Sequence, residues 1–344
     1  MTETNWQTHL TSQGAVLQGG NVQHFGDALS ELKATASNNT LCDLSHLGLL
    51  TLSGEDATTF LQGQVTNDVA QLNGNNVHYS AYCSPKGRML ALFLAFSYQN
   101  KLYLQFNQSI LTSIMKRLKM YVMRAKVDIN DVSNDLLKFG VNGPGATNII
   151  KQALGKTPEQ DYAMVATENI VVIKLPSLND HNRYEILVDS KQASDLWSTL
   201  KGQCTPVGKP CWDWLEIQTG TPDVLEKTQE QFVPQMLNLD ILNGINFKKG
   251  CYTGQEIVAR THYLGVVKRR TYLASIATNE QPTEGDRVTD NAKSEVGQLV
   301  KVTPNTQNGF DALIEIRIEA KQAGNISWRS YPVTFSRLPY SFNE

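Results

Sequence analysis

The sequence predicts an α+β protein built from two mixed α+β units and a small terminal β-barrel. Three observations point there. From Leu49 to Met123 the periodicity runs strand, helix, three strands, helix. A second set of strands and helices starts near Asp131. After Arg269 the helical pattern stops and only short strand-like runs follow. The 344 residues suffice for two or three cores, and 41% hydrophobic with 19% charged residues is ordinary for a soluble globular chain.

Leu49–Leu52 reads as a strand, and Ser53-Gly-Glu-Asp56 has the spacing of a capping box opening a helix through Phe60 and Leu61. Val77, Tyr79 and Ala81 alternate with polar neighbours, and the run from Arg88 to Ser97 is apolar. Pro85-Lys86-Gly87 between them predicts a hairpin. Lys101–Phe106 follows as a third antiparallel strand. Ile110, Ile114, Leu118 and Tyr121/Val122 then recur at helical spacing over Ser109–Met123.

In the second unit, Leu136–Val141, Asn169–Leu175 and Tyr184–Val188 are strand-like. Gly143-Pro144-Gly145 opens a helix toward Leu154, and Ser190–Leu200 carries Ala193, Leu196, Trp197 and Leu200 on one face. Trp212–Thr219 is a short apolar helix ended by Gly220 and Pro222. Arg270–Ala274, Glu295–Val302, Phe310–Ile318 and Ile326–Phe335 make up the all-β end.

A net charge of −2 argues against a broad nucleic-acid-binding face; Lys268-Arg269-Arg270 reads as a solvated strand start. The N-terminal residues Met1–Gln7 show no basic segment followed by an apolar run, and no apolar run approaches the roughly 20 residues that span a bilayer, so a cytoplasmic location without a membrane partner is expected. The five cysteines, Cys42, Cys83, Cys204, Cys211 and Cys251, are odd in number and scattered, with no Cys-x-x-Cys. That pattern predicts reduced thiols and neither a disulfide framework nor a metal-ligand set.

The stretch richest in chemistry is Lys248-Lys249-Gly250-Cys251-Tyr252-Thr253-Gly254-Gln255-Glu256. Thr253 and Glu256 have capping-box spacing, with Tyr252 and Ile257 placed as a hydrophobic staple, so a helix is expected from Gly254 through Arg260. Cys251 would lie just before its N-terminus, beside two lysines, where a thiolate is favoured. The plain alternative is a small buried hydrophobe.

Lys249–Glu256 resembles the signature of the YgfZ family, folate-binding proteins related to the aminomethyltransferase (T-protein) of the glycine cleavage system. Phe60–Asp68, Tyr82–Met89, Phe232-Val-Pro-Gln235 and Leu338-Pro-Tyr-Ser341 resemble further blocks of that family, whereas residues 130–208 carry no matching motif. The resemblance implies an aminomethyltransferase-like fold: two ferredoxin-like α+β units and a six-stranded barrel around a central channel. Residues 1–130 and 209–268 would form the first, folate-binding unit, 131–208 the second and 269–344 the barrel.

It also implies a ligand, tetrahydrofolate, and a set of contacts. Trp212 matches a folate-contacting tryptophan; the second such tryptophan falls at Leu47, and the T-protein's pterin-holding glutamate falls at Gln218. Lys249, Tyr252 and Gln255 of the signature and Arg260, one turn beyond it, complete the set, with Arg260 suited to folate's glutamate tail. The T-protein's essential aspartate aligns with Ala91, so classical aminomethyl transfer is expected to be lost. The implied role is an accessory protein, expected to be monomeric, for iron–sulfur cluster assembly or repair. Its partners would be iron–sulfur proteins or assembly factors, some of which modify tRNA, and Cys251 would be the redox or cluster-contacting thiol. A tetrahydrofolate-dependent one-carbon transferase and a pure interaction module with a structural Cys251 are the other readings.

Overall fold

The computed structural model describes residues 5–342; Met1–Thr4, part of the segment read for a leader, lie outside them. One sheet has five strands in the order Val77–Cys83, Met89–Tyr98, Lys101–Asn107, Leu47–Ser53 and Asp128–Asp131. A second has six, in the order Met164–Ala166, Ile170–Leu178, His181–Asp189, Leu136–Gly143, Thr40–Asp43 and Thr205–Val207. The third element is a closed barrel of Arg269–Ile276, Phe310–Arg317, Glu295–Pro304, Arg287–Thr289, Ser327–Trp328 and Tyr331–Ser336.

The apolar run of Met89–Tyr98 is a strand covered on both faces. Ala91, Phe93 and Ala95 face the helices Ala57–Gln62 and Leu111–Val122, while Leu92, Leu94 and Phe96 face the centre of the molecule. The six-stranded sheet repeats the arrangement, with Phe139, Val141 and Ile186 packed under its outer helices, among them Trp197 of the helix Ala193–Lys201, and Leu175 and Leu187 turned inward. The two sheets meet edge to edge, Val77 N donating to Tyr162 O and Met164 N to Asn75 O, each at 2.8 Å. They curve together around a shared central core that also takes the helix Lys209–Gln218.

The assignment of residues to units differs from the sequence expectation. Residues 40–43 do not join the five-stranded sheet. They lie between Leu136–Gly143, antiparallel, and Thr205–Val207, parallel. The helix Lys209–Gln218 is wedged against both sheets and the barrel. Trp214 Nε1 and Gln218 Nε2 both donate to Asp311 Oδ2, at 3.0 and 2.7 Å.

Neither predicted capping box forms. The first helix starts at Ala57, and Asp56 instead accepts from Lys126 N at 2.8 Å. The signature helix runs Gln255–Tyr263 from a Gly254 cap at φ 82, with no side-chain cap bond. Gly254 is pressed onto the Pro85–Gly87 turn so closely that a Cβ would lie 2.5 Å from Ser84 O. That contact imposes left-handed backbone, which only glycine adopts cheaply, and leaves Thr253 outside the helix. Of the triplet read as a solvated strand start, Lys268 is exposed but both arginines are held: Arg269 pairs with Glu315, and buried Arg270 forks onto Asp240 at 2.6 and 2.8 Å. Among the described residues no helix is long and apolar enough to cross a membrane.

Candidate functional site

The sequence blocks that looked distinctive are far apart in the chain and meet at one end of the five-stranded sheet. Thr66 Oγ1 donates to Gly244 O at 2.6 Å and Asn67 Nδ2 to Asn243 O at 2.7 Å. Met89 N donates to Phe232 O at 2.8 Å, and Gln235 Nε2 to Val258 O at 2.7 Å. Lys249 is the clasp: its Nζ donates to Gln62 O at 2.5 Å and Val65 O at 2.6 Å and sits 4.9 Å over the Tyr252 ring. Burial lowers its pKa to about 8, against the pull of Asp68 and Cys251. Tyr252 is buried, Gln255 half-buried and Arg260 exposed.

This framework presents Cys251, the exposed cysteine of the five. Burial drives the other thiols up: Cys83 and Cys211 to about 12, Cys204 to about 11, and Cys42 well above its ordinary value. Because the thiolate is the nucleophile, iodoacetamide at neutral pH should modify Cys251 first, on the order of 10²-fold faster than the rest. Peptide mass mapping of a time course reads this, and prior labelling of any other cysteine would reject it.

The second feature is a narrow cavity between the sheets, partly open to solvent. Leu47, Tyr79, Leu92, Leu94, Phe106 and Leu175 give it apolar walls, and Glu185, Glu216, Asp223 and Gln105 give it acceptors. Glu185 Oε1 and Gln105 Oε1 are buried without a hydrogen-bond partner. Burial raises Glu185 to about 7 and Asp223 to about 6. Lys301 reaches in from the barrel to Glu216 and to Asp213 at 3.1 Å. Burial disfavours its charge, but Glu216, Asp213 and Asp223 outweigh that and raise its pKa.

Of the residues singled out from the sequence, Leu47 lines this cavity. Trp212 is 1% exposed, packed on Gly140, with Arg183 5.3 Å over its ring. Gln218 is turned to Asp311 in the barrel. Lys249, Cys251, Tyr252, Gln255 and Arg260 belong to the signature framework and are not in the cavity wall. Ala91 faces the helix-side core, so the position turned to the cavity is Leu92. An aspartate at 91 would bury a carboxylate among Tyr82, Phe93 and Leu50 rather than restore a channel acid.

Glu185, Glu216, Asp223 and Arg183 were not singled out from the sequence. Arg183 and Glu185 carried a usable signal. They alternate on one face of the strand-like run Arg183-Tyr-Glu-Ile-Leu-Val188, charged residues where a buried strand calls for apolar ones.

The comparisons agree with this architecture. The family model described as the GCVT N-terminal domain matches residues 16–248. The chain is 36% identical over 249 residues, 72% of this chain and 75% of the other, to a tRNA-modifying protein YgfZ from Colwellia psychrerythraea. To the protein of that name from Yersinia enterocolitica it is 29% identical over 322 residues, 89% of this chain and 93% of the other. The solved glycine cleavage system aminomethyltransferase T from Bartonella henselae superposes with a TM-score of 0.80 at 16% identity. It covers 97% of this chain and 96% of that one, a likeness that shows the fold. With a signature framework, two α+β sheets and a closed barrel in place, this chain belongs to the YgfZ family and carries the GCVT N-terminal domain.

Proposed function

We propose that this protein binds a reduced folate between its two sheets. We further propose that, in the cytoplasm, it supports iron–sulfur proteins, among them cluster enzymes that modify tRNA. The observation that carries the ligand assignment is the cavity itself. Its apolar walls, with the rings of Tyr79 and Phe106, and its buried, unpartnered acceptors suit a heterocycle rich in N–H donors, as a pterin is. Leu47, Tyr79 and Phe106 would hold the ring and Glu185 and Gln105 its polar edge; a bound tetrahydrofolate would supply one-carbon or reducing chemistry. The tRNA side of the proposal rests on the relatives named tRNA-modifying protein YgfZ. Cys251, exposed beside the Lys249 clasp, is the thiol offered to a partner's cluster or to redox exchange.

Titration with tetrahydrofolate, followed by calorimetry, tests the first part. Wild type should bind, and Cys251→Ala should bind with unchanged affinity, because the thiol stands outside the cavity wall. The same variant should fail to restore cluster-enzyme activity in cells lacking the wild-type protein. Absence of binding by wild type would refute the folate assignment.

A one-carbon transferase is the second reading. Glu185 at about 7 and Asp223 at about 6 favour it, because a general acid or base works best near the operating pH. Robust methylene-tetrahydrofolate formation from an aminomethyl-carrier protein would decide for it.

A further inference from the structure

The far end of the signature helix leaves apolar side chains in solvent. Tyr263 is 63% exposed, Leu264 86% and Val266 81%. Single exposed apolar residues are normal on any surface. These follow one another and continue into a stacked pair. The His262 ring lies 3.7 Å from that of Phe247 at 12°, and Tyr263 stands edge-on to both. A contiguous apolar patch with a polar rim marks an interaction surface.

The patch sits near Cys251. The Phe247–His262 stack ties the end of the helix to chain four residues before the thiol, a span of at most about 14 Å. Its rim is cationic. Between residues 246 and 268 stand Lys248, Lys249, Arg260 and Lys268 against one acid, Glu256, in a chain whose net charge is −2. Lys248, Arg260 and Lys268 are exposed and, among the described residues, in no ion pair.

That charge selects the occupant. A second copy packed about a two-fold axis would set the same cations against each other. RNA bases need free aromatic faces, but Phe247 and His262 each cover one face of the other, and the most exposed groups, Leu264 and Val266, are aliphatic. A lipid surface would take the aliphatic groups but leave the adjacent thiol without a use. We infer that the patch docks a protein partner whose contact face is apolar at its centre and acidic at its rim, and so brings that partner to Cys251. The inference rests on the reading of Cys251 given above.

In cells lacking the wild-type protein, the double variant Leu264→Ser/Val266→Ser should restore cluster-enzyme activity at least about ten-fold less well than wild type. Its melting temperature and its rate of Cys251 alkylation should be unchanged, because both side chains lie in solvent. Lys248→Glu/Lys268→Glu should lose rescue in the same way, whereas Met123→Ser, at an 88% exposed position elsewhere, should rescue like wild type. Benzoylphenylalanine in place of Tyr263, irradiated in cells, identifies the occupant: the adduct should be an iron–sulfur protein or assembly factor.

An adduct with anything else, a second copy, RNA or lipid included, or no adduct at all, would overturn the inference. Full rescue by Leu264→Ser/Val266→Ser where Cys251→Ala fails would overturn it too and leave the thiol reading standing. Full rescue by Cys251→Ala would remove the thiol reading and this inference with it.

Discussion

Replacing Lys301 with methionine should lower the melting temperature by roughly 5–15 °C at pH 7, the scale expected from breaking one side of a buried ion cluster at about 3–5 kcal/mol. The Lys301 side chain is 6% exposed, and it faces Glu216 and Asp213, themselves 15% and 9% exposed. Removing the cation leaves two buried carboxylates with one remaining lysine, Lys209, on Asp213.

The pH dependence gives the sharper check. In wild type, burial would raise Asp213, but Lys209, Lys301 and His46 overcome it and hold the carboxyl well below its usual range. Its stabilisation is present above the unfolded carboxylate pKa and fades only as pH falls through the depressed value. Lys301 is shifted up, so its contribution is full below the unfolded lysine pKa and is lost only above the raised one. Neither contribution changes between pH 5 and 8. In the variant the stranded carboxylates become groups with raised pKa, so stability should recover as pH falls from 7 to 5. Thermal melts across that range read both curves. A variant penalty that does not shrink toward pH 5 would show that the cluster is not what Lys301 stabilises.

Trp212→Ala should destabilise the protein by about 3–5 kcal/mol, as expected for emptying a large buried aromatic site. The ring lies where Gly140 has no side chain: a Cβ there would be 2.3 Å from Cζ3 and 2.8 Å from Cη2. The helix Lys209–Gln218 thus seats on the six-stranded sheet through a ring-on-backbone contact. Gly140→Ala should therefore reproduce much of the loss from the opposite side. Urea unfolding should show a lower midpoint for both variants with little change in slope. A shift below about 1 kcal/mol in Trp212→Ala would remove the wedge role.

Much of this fold was legible in the sequence because most strands and helices are local. The hairpin around Pro85–Gly87, the helix Leu111–Val122 and the terminal strands follow from alternation and turn chemistry. The failures have physical causes. Ser53 and Thr253 have the right spacing for capping boxes, yet Gly54 and Gly254 are pulled into left-handed backbone by contacts with Lys126 and Ser84, from distant chain. Thr40–Asp43 looks like any short strand, and only its pairing partners at 136–143 and 205–207 assign it to the other sheet. The resemblance aligns the T-protein's essential aspartate with Ala91, which packs here into the helix-side core. The register shift at Tyr82/Cys83 and the packing turn Leu92 to the cavity instead. The signature motif identified the framework that presents Cys251, whereas the cavity acids come from three separate elements that only the fold brings together.

The place of Thr40–Asp43 has a consequence for how the chain is made. It leaves the ribosome early, but its antiparallel neighbour begins at Leu136 and its parallel neighbour at Thr205. At roughly 5–20 residues per second, the strand waits several seconds for the first and longer for the second, its backbone groups unpaired. Residues 47–131 can complete their own sheet in that interval, so the emerging chain holds a finished unit next to an open strand. Long-range parallel closure is slow and leaves edges exposed to other chains. A stalled or truncated product ending near residue 130 should thus carry a sticky N-terminal segment, a natural substrate for chaperones at the ribosome exit.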